Sequence, residues 1–262
     1  MSNLLILTFI IIVTAFLGYQ LRFLSISGSI AAFSVGILTV LGLGIKGLIL
    51  LGVFFATSSF WSKYKRMYKS KIEERHEKGS QRDWQQVMAN GGAASIISIC
   101  YLIDHNNIWI YAFSILIASS NSDTWASEVG TLSRSQPISI VTFSRVAKGT
   151  SGAVSILGTI TAVLGSLLIA GISSYLFGLS IYITGLIFLF GFLGNVIDSI
   201  LGATLQAVYR CETCHLETEK TIHCGKRTTL IHGFSFLNND VVNFCSSLLA
   251  LLIGLSVYNV LI

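Results

Sequence analysis

Two carboxylates, Asp123 and Glu128, follow directly on the apolar run Ile108 to Ala118, within the stretch NSDTWASEVG at positions 121–130. A charge at the centre of a bilayer costs on the order of 3 kcal/mol or more, so acids at such depth normally face a polar cavity or a metal. Helical spacing sets Asp123 with Ser127 on one face and Thr124 with Glu128 on the next, so the two acids splay. Asp123 reads as a metal ligand or as a plain helix N-cap. Glu128 reads as a further ligand, a more distant partner of the metal, or a headgroup-level surface charge. Trp125 reads as an interfacial anchor.

A third acid sits in GNVIDSILGATLQ, where Gly194, Asp198, Gly202 and Gln206 recur every four residues, with Gly191, Asn195 and Ser199 alongside. The glycines read as a small-residue packing seam, or as the lipid-facing path of a tail. Asp198 is expected to be functional. In FLNNDVVN, Asn238, Asn239, Asp240 and Asn243 bring three amides and an acid to a helix start, and capping accounts for one of them. Carboxylate and amide oxygens are the hard ligands Mg²⁺ prefers, alongside water and substrate phosphates. Asp123, Asp198 and Asp240 are therefore the expected Mg²⁺ ligands, supported by Glu128, Asn239 and Asn243.

RVAKGTSG, Arg145 to Gly152, is a basic, glycine-containing turn just before an apolar run. Free backbone N–H groups, a helix dipole, two hydroxyls and Lys148 together suit a phosphate. The spacing is not that of a P-loop, and Thr150 or Ser151 also reads as a simple helix cap. Asn90 and Asn121 join Arg145, Lys148, Gly149, Thr150, Ser151 and Gly152 as expected nucleotide or phosphate contacts.

The five cysteines divide in two. Cys100 and Cys245 lie in apolar runs and read as small buried hydrophobes. Cys211, Cys214 and Cys224 lie in CETCHLETEKTIHC, whose C-x-x-C followed by a third cysteine resembles a zinc knuckle, with His223 or His215 as fourth ligand. Adjacent His223 and Cys224 on one ion would be strained, and reduced, unligated thiols are the alternative. A four-ligand site would be structural.

What must position these groups follows from composition. With 53% apolar and 11% charged residues, one proline and a mean hydropathy of +0.74, the chain has too little polar surface to cover a soluble globule. The expectation is an all-α, polytopic transmembrane helix bundle in a single membrane domain. Spans need about 20 apolar residues each. Eight are read: Leu4 to Tyr19, Leu24 to Leu43, Ile45 to Trp61, Met88 to Ile103, Ile108 to Ser120, Gly152 to Ile172, Gly178 to Ile197 and Val241 to Ile262. The first, with no basic residue before it and no small-residue cleavage pattern after it, reads as a retained span.

Of the 17 Lys and Arg residues, 16 fall on one side of such an arrangement, in the loops 62–86, 121–149 and 209–236 and at Arg22, and only Lys46 lies opposite. The positive-inside rule makes that side cytoplasmic and leaves both termini outside. All the polar motifs then meet at cytoplasmic helix ends in the cell membrane, where a soluble reactant could meet a lipid. The 62–86 loop, with eight basic and four acidic residues, reads as solvated or as an amphipathic helix on anionic headgroups, with attraction of a nucleotide secondary. Topology accounts for most of the basic residues behind the net charge of +5, and the sequence has no aromatic-interleaved basic surface of the kind nucleic-acid binders use.

Read together, SGSIAAFSVG, VMANGGAAS, NSDTWASEVG, GTSGAVSILGT, GNVIDSILGATLQ and FLNNDVVN resemble the integral membrane family known as domain of unknown function ninety-two. The resemblance runs through essentially the whole chain. That family includes eukaryotic transmembrane protein nineteen and the plant and cyanobacterial phytyl-phosphate kinases, and it is distantly similar to dolichol kinase and phosphatidate cytidylyltransferase. The resemblance implies Mg²⁺-dependent transfer of the terminal phosphate of CTP, or another nucleoside triphosphate, to an isoprenoid monophosphate. A CTP-dependent cytidylyltransferase and a non-enzymatic lipid or ion transporter are the competing expectations.

Overall fold

The computed structural model describes residues 2–261, which form eight helices joined by segments that carry short strands. The helices are α1 (Ser2–Gln20), α2 (Ile26–Lys63), α3 (Arg66–Glu73), α4 (Trp84–Asp104), α5 (Asn107–Gly130), α6 (Ile156–Phe177), α7 (Ile181–Thr204) and α8 (Asn239–Leu261). Five of them are long and apolar enough to cross a membrane, and the chain is a polytopic helical membrane protein. Of the expected final span, Ile262 lies outside the described residues.

Two of the expected spans lie within α2. Gly44 interrupts it at φ 60°, ψ −149°, a conformation open to glycine at little cost. The chain doubles back there: Val35 and Leu51, from the two halves, both flank Gly91 of α4, and Phe55 near the end of α2 meets Phe23 just before its start. The sequence pattern of two apolar runs divided at Gly44 thus corresponds to a helical hairpin.

The centre of the bundle is α5. From Ile110 to Ser122 every residue is buried, so this helix has no lipid face along that stretch. It packs against α2, α4, α6, α7 and α8. Small residues make this crowding feasible: a Cβ at Gly191 would lie 2.5 Å from that of Ala118. Polar side chains on α5 are spent on its neighbours. Ser122 donates to the Ala162 carbonyl at 2.9 Å, Ser120 to that of Asn90 at 2.9 Å, and Ser114 shares a hydrogen bond with Ser173.

Side-chain caps mark where several of the long helices begin. Ser25, Ser155 and Ser180 cap α2, α6 and α7, and Asp83 forms a capping box with Gln86 at α4. All the basic connecting segments lie at one end of the bundle. At the other end Lys46 rests over the Phe177 ring, 5.8 Å from its centroid.

Short antiparallel strands organise the connections at the basic end. β1 (Ile138–Ser139) pairs with β2 (Ala153–Val154) between α5 and α6. Between α7 and α8, β3 (Val208–Arg210) lies between β4 (Glu217–Thr218) and a strand at Thr229–His232, with a two-residue hairpin, Ile222–His223 against Lys226–Arg227, projecting beyond them. Among the described residues, these strands are where the regular secondary structure departs from helix.

Candidate functional site

A cavity of about 300 Å³ opens among the basic-end termini of α2, α4, α5, α7 and α8. Its size falls at the lower end for small-molecule sites. Asn90, Asp123, Glu128, Lys148, Gly149 to Gly152, Asp198, Asn239, Asp240 and Asn243 all line it. Five separate sequence motifs therefore meet in one place.

Asp123 and Asp198 form the acidic centre. Asn195, one turn before Asp198 on α7, donates to Asp123 at 3.1 Å and so links α5 to α7. Asp198 accepts from Ser246 at 3.0 Å, and the Asn243 amide, oriented nitrogen-first, donates to it at 3.0 Å and to the Asn239 carbonyl at 3.1 Å. Each acid is thus held by neutral groups, with no cation within ion-pair distance among the described residues. That donor set of two carboxylates and nearby amides fits Mg²⁺, which commonly takes one or two carboxylates and completes its shell with water and phosphate oxygens.

The other two acids are differently placed. Asp240 is paired with Lys78 at 2.5 Å, and Lys78 also reaches Asp83 at 2.8 Å. Burial alone would lower the Lys78 pKa, but its bonds to these two carboxylates outweigh burial and raise it, so the ammonium stays charged. The expected three-aspartate ligand set is not assembled, because a lysine occupies the third member. Glu128 binds Lys69 at 2.6 Å and accepts from Ser62 at 2.6 Å. Lys69 is 4% exposed and also donates to the Trp61 carbonyl. This pair fastens the segment after α2 to α5, so Glu128 serves as an anchor in this arrangement.

Several expected phosphate contacts change place. The turn Gly149 to Gly152 does line the cavity, with both glycines at positive φ. It does not open α6: β2 intervenes, the helix begins at Ile156, and Ser155 is its cap, so the helix dipole is not aimed through this turn and neither Thr150 nor Ser151 caps it. Lys148 donates to the Ser133 carbonyl and lines the cavity. Arg145 is exposed and outside it. Asn121 is fully buried, donating to the Gly165 carbonyl at 2.8 Å and accepting from Thr57 at 3.1 Å. It is a staple between helices. Asn90 lines the cavity while donating to the Gln86 carbonyl. At the α8 start, Asn238 accepts from the Val241 amide, which is the capping bond expected of one residue in that group.

Gly194 and Gly202, read as lipid-facing, are both buried. A Cβ at Gly194 would strike Ser119, and one at Gly202 would lie 3.1 Å from the Gly152 amide nitrogen. Gly194 thus makes a close contact with α5, as a packing seam would, while Gly202 makes room for the turn at Gly152.

The residues missed from sequence come mainly from the segment after α2. Lys69, Lys78 and Arg82 all line the cavity. Arg82 rests near Ser59 at 3.4 Å and beside the Phe55 ring, and among the described residues no carboxylate lies within ion-pair distance of it. Burial lowers its pKa and the nearby charge of Glu128 opposes that, but a guanidinium remains protonated regardless. The signal was eight basic residues in a 25-residue loop, which membrane topology explained equally well.

Glu219, from the cysteine-bearing segment, was also missed. It accepts from Gln206 at 2.7 Å, Ser151 at 3.2 Å and the Glu77 amide at 3.2 Å, with His76 at 3.6 Å. Burial alone would raise its pKa, but the bond and charge of His76, with the Glu77 and Ser151 donors, hold it below the ordinary carboxylate range.

Known proteins are similar to this chain along most of its length. Protein PGR of Arabidopsis thaliana is 33% identical, covering 90% of this chain and 89% of that protein. The uncharacterized membrane protein MJ0933 of Methanocaldococcus jannaschii is 31% identical over 95% of this chain and 92% of its own length. Protein VTE6, chloroplastic, of Arabidopsis thaliana is 27% identical over 84% of this chain and 61% of that protein. No solved structure matches. The family model described as integral membrane protein DUF92 matches residues 9–251, and the chain belongs to that family.

Proposed function

We propose that this protein is a membrane-embedded prenyl-phosphate kinase, transferring the terminal phosphate of CTP or another nucleoside triphosphate to an isoprenoid monophosphate. The observation that carries this reading is one cavity in which Asp123 and Asp198, free of cationic partners, face Arg82, Lys148 and a glycine turn. The resemblance to the phytyl-phosphate kinase branch supplies the substrate class. The excess of basic residues at this end supports a cytoplasmic opening in the cell membrane.

The chemistry asks for positioning and charge neutralisation more than for a base. A phosphate monoester with a second pKa of about 6 is already largely dianionic at neutral pH. Its oxygen attacks the terminal phosphorus in line, a new P–O bond forms, and the bond to the nucleoside diphosphate oxygen breaks, releasing CDP from CTP. Asp123 and Asp198 would hold Mg²⁺, with the amide of Asn243 nearby. When bound, that ion neutralises phosphate charge and orients the nucleotide. Arg82 offers a planar guanidinium to the donor phosphates. Lys148 and the backbone of Gly149 to Gly152 offer further donors to the same groups, and the Lys78–Asp240 pair closes the wall beside them.

Asp198→Asn tests this assignment because it keeps the shape and the Ser246 hydrogen bond while removing the charge. Transfer to a prenyl monophosphate should fall by about 100-fold or more, the scale for losing a preorganised electrostatic group, while thermal unfolding is unchanged. Wild-type turnover in that variant would sink the assignment.

A further inference from the structure

The segment between α7 and α8 has an ordered shape and almost nothing hydrophobic to hold it. From Cys211 to Arg227 only Cys211 and Thr218 are buried. A hairpin this small and this exposed needs support other than a core. Four soft ligand atoms converge where that support would act. The sulfurs of Cys211, Cys214 and Cys224 and a ring nitrogen of His223 all lie within 4.8 Å of one another. His223 Nδ1 is 3.4 Å from Cys214 Sγ and 3.3 Å from Cys224 Sγ. Tetrahedral Zn²⁺ with ordinary bond lengths sets sulfur and nitrogen ligands about 3.6 Å apart, which these separations approach.

The backbone resolves the strain foreseen for adjacent ligands. Cys224 and Gly225 both take positive φ, 51° and 73°, in the two-residue turn between Ile222–His223 and Lys226–Arg227. That turn brings the Cys224 sulfur back onto Nδ1 of its own neighbour. Positive φ is unfavourable for cysteine, so something must hold the turn. On the opposite side, His215 also has positive φ and its amide donates to the Cys211 carbonyl at 2.8 Å, bending the C-x-x-C loop around the same point.

We propose that Cys211, Cys214, His223 and Cys224 bind one structural Zn²⁺ and that this ion clasps the segment to the cavity wall. The link to the wall is short. Glu219 lies between the two pairs of ligands, and its amide donates to the Arg75 carbonyl at 2.7 Å while its carboxylate reaches Ser151 and Gln206. Thr218 donates to the same Arg75 carbonyl at 2.9 Å. Binding deprotonates three thiols and leaves no open position, so the ion contributes to fold and not to transfer.

The test uses the full chain purified in detergent without chelators or a metal-affinity step. Elemental analysis should find about one zinc per chain, and replacement by Co²⁺ should give thiolate-to-cobalt charge-transfer absorption. Cys214→Ser should lose the metal and the band, whereas Cys100→Ser, in α4, should retain both. Strong chelation of the wild type should speed tryptic cleavage at Lys220 and Arg227 while the helical content stays intact. Wild-type protein that carries no zinc and shows no cobalt–thiolate band overturns the proposal even if Cys214→Ser fails to fold. So does full zinc occupancy in a folded Cys214→Ser. None of these readouts depends on phosphoryl transfer.

Discussion

Asn121 and Asp123 stand two residues apart on α5 and belong to different regimes. Asn121 faces the interior of the bundle, where its amide nitrogen donates to the Gly165 carbonyl and its oxygen accepts from Thr57. Asp123 faces the cavity, where it is held by one neutral amide and retains acceptor capacity for something absent from the chain itself. The same division runs through the molecule. In the bundle interior Ser122 and Asn121 donate to backbone carbonyls of α6, and Ser120 donates to one of α4. At the basic end, side chains from segments far apart in sequence surround a space, and Arg82 enters it without an acidic partner among the described residues. Hydrogen bonds between helices hold the bundle together, and carboxylates and a guanidinium that lack counter-ions among the described residues line the cavity.

Glu128 sits on the boundary between these two regions, paired with Lys69 at the edge of the cavity. Glu128→Ala leaves Lys69 buried without its counter-ion and should cost about 3 kcal/mol, the lower end for a broken buried pair because Glu128 is 23% exposed. Thermal unfolding in detergent measures this, and Lys69→Met added to Glu128→Ala should recover most of the loss. If Glu128 were a metal ligand instead, the double variant would regain stability yet show no transfer.

Arg82→Gln comes next. A charge-assisted hydrogen bond contributes about 1.5–3 kcal/mol, so KM for the nucleotide should rise about tenfold or more with little change in the unfolding temperature. An unchanged KM would remove Arg82 from the site. The smallest effect is expected at Asn121→Ala, which should cost about 1 kcal/mol of stability, the usual scale for interhelical hydrogen bonds in membranes, and leave KM for nucleotide and lipid alone. A rise in either KM would return Asn121 to the phosphate site.

Acids at the ends of apolar runs are rare enough that Asp123 and Asp198 could be singled out, and two apolar runs split by a glycine foretold the turn at Gly44. Asn121 could not be told from a site residue, since an asparagine in a span looks the same whether its partners are carbonyls or a ligand. Lys69, Lys78 and Arg82 were concealed by membrane topology, which already gave every basic residue a reason to be there. The start of α6 was misjudged because the strand pairing of β1 with β2 joins residues 138–139 to 153–154, a relation no local pattern reports. Glu219 was missed because its segment read as a metal loop alone, and its reach to Ser151 depends on the fold of both.

The proposed activity of the Asp123–Asp198 cavity is transfer of a terminal phosphate to a lipid. Purified protein given Mg²⁺, a prenyl monophosphate and CTP labelled at either the α or the γ phosphorus tests it most directly. A kinase leaves the γ-label in the lipid product and the α-label in CDP. α-Label in the lipid would make the protein a cytidylyltransferase, and lipid without label from either position, across a range of prenyl chain lengths and nucleotides, would contradict phosphoryl transfer altogether.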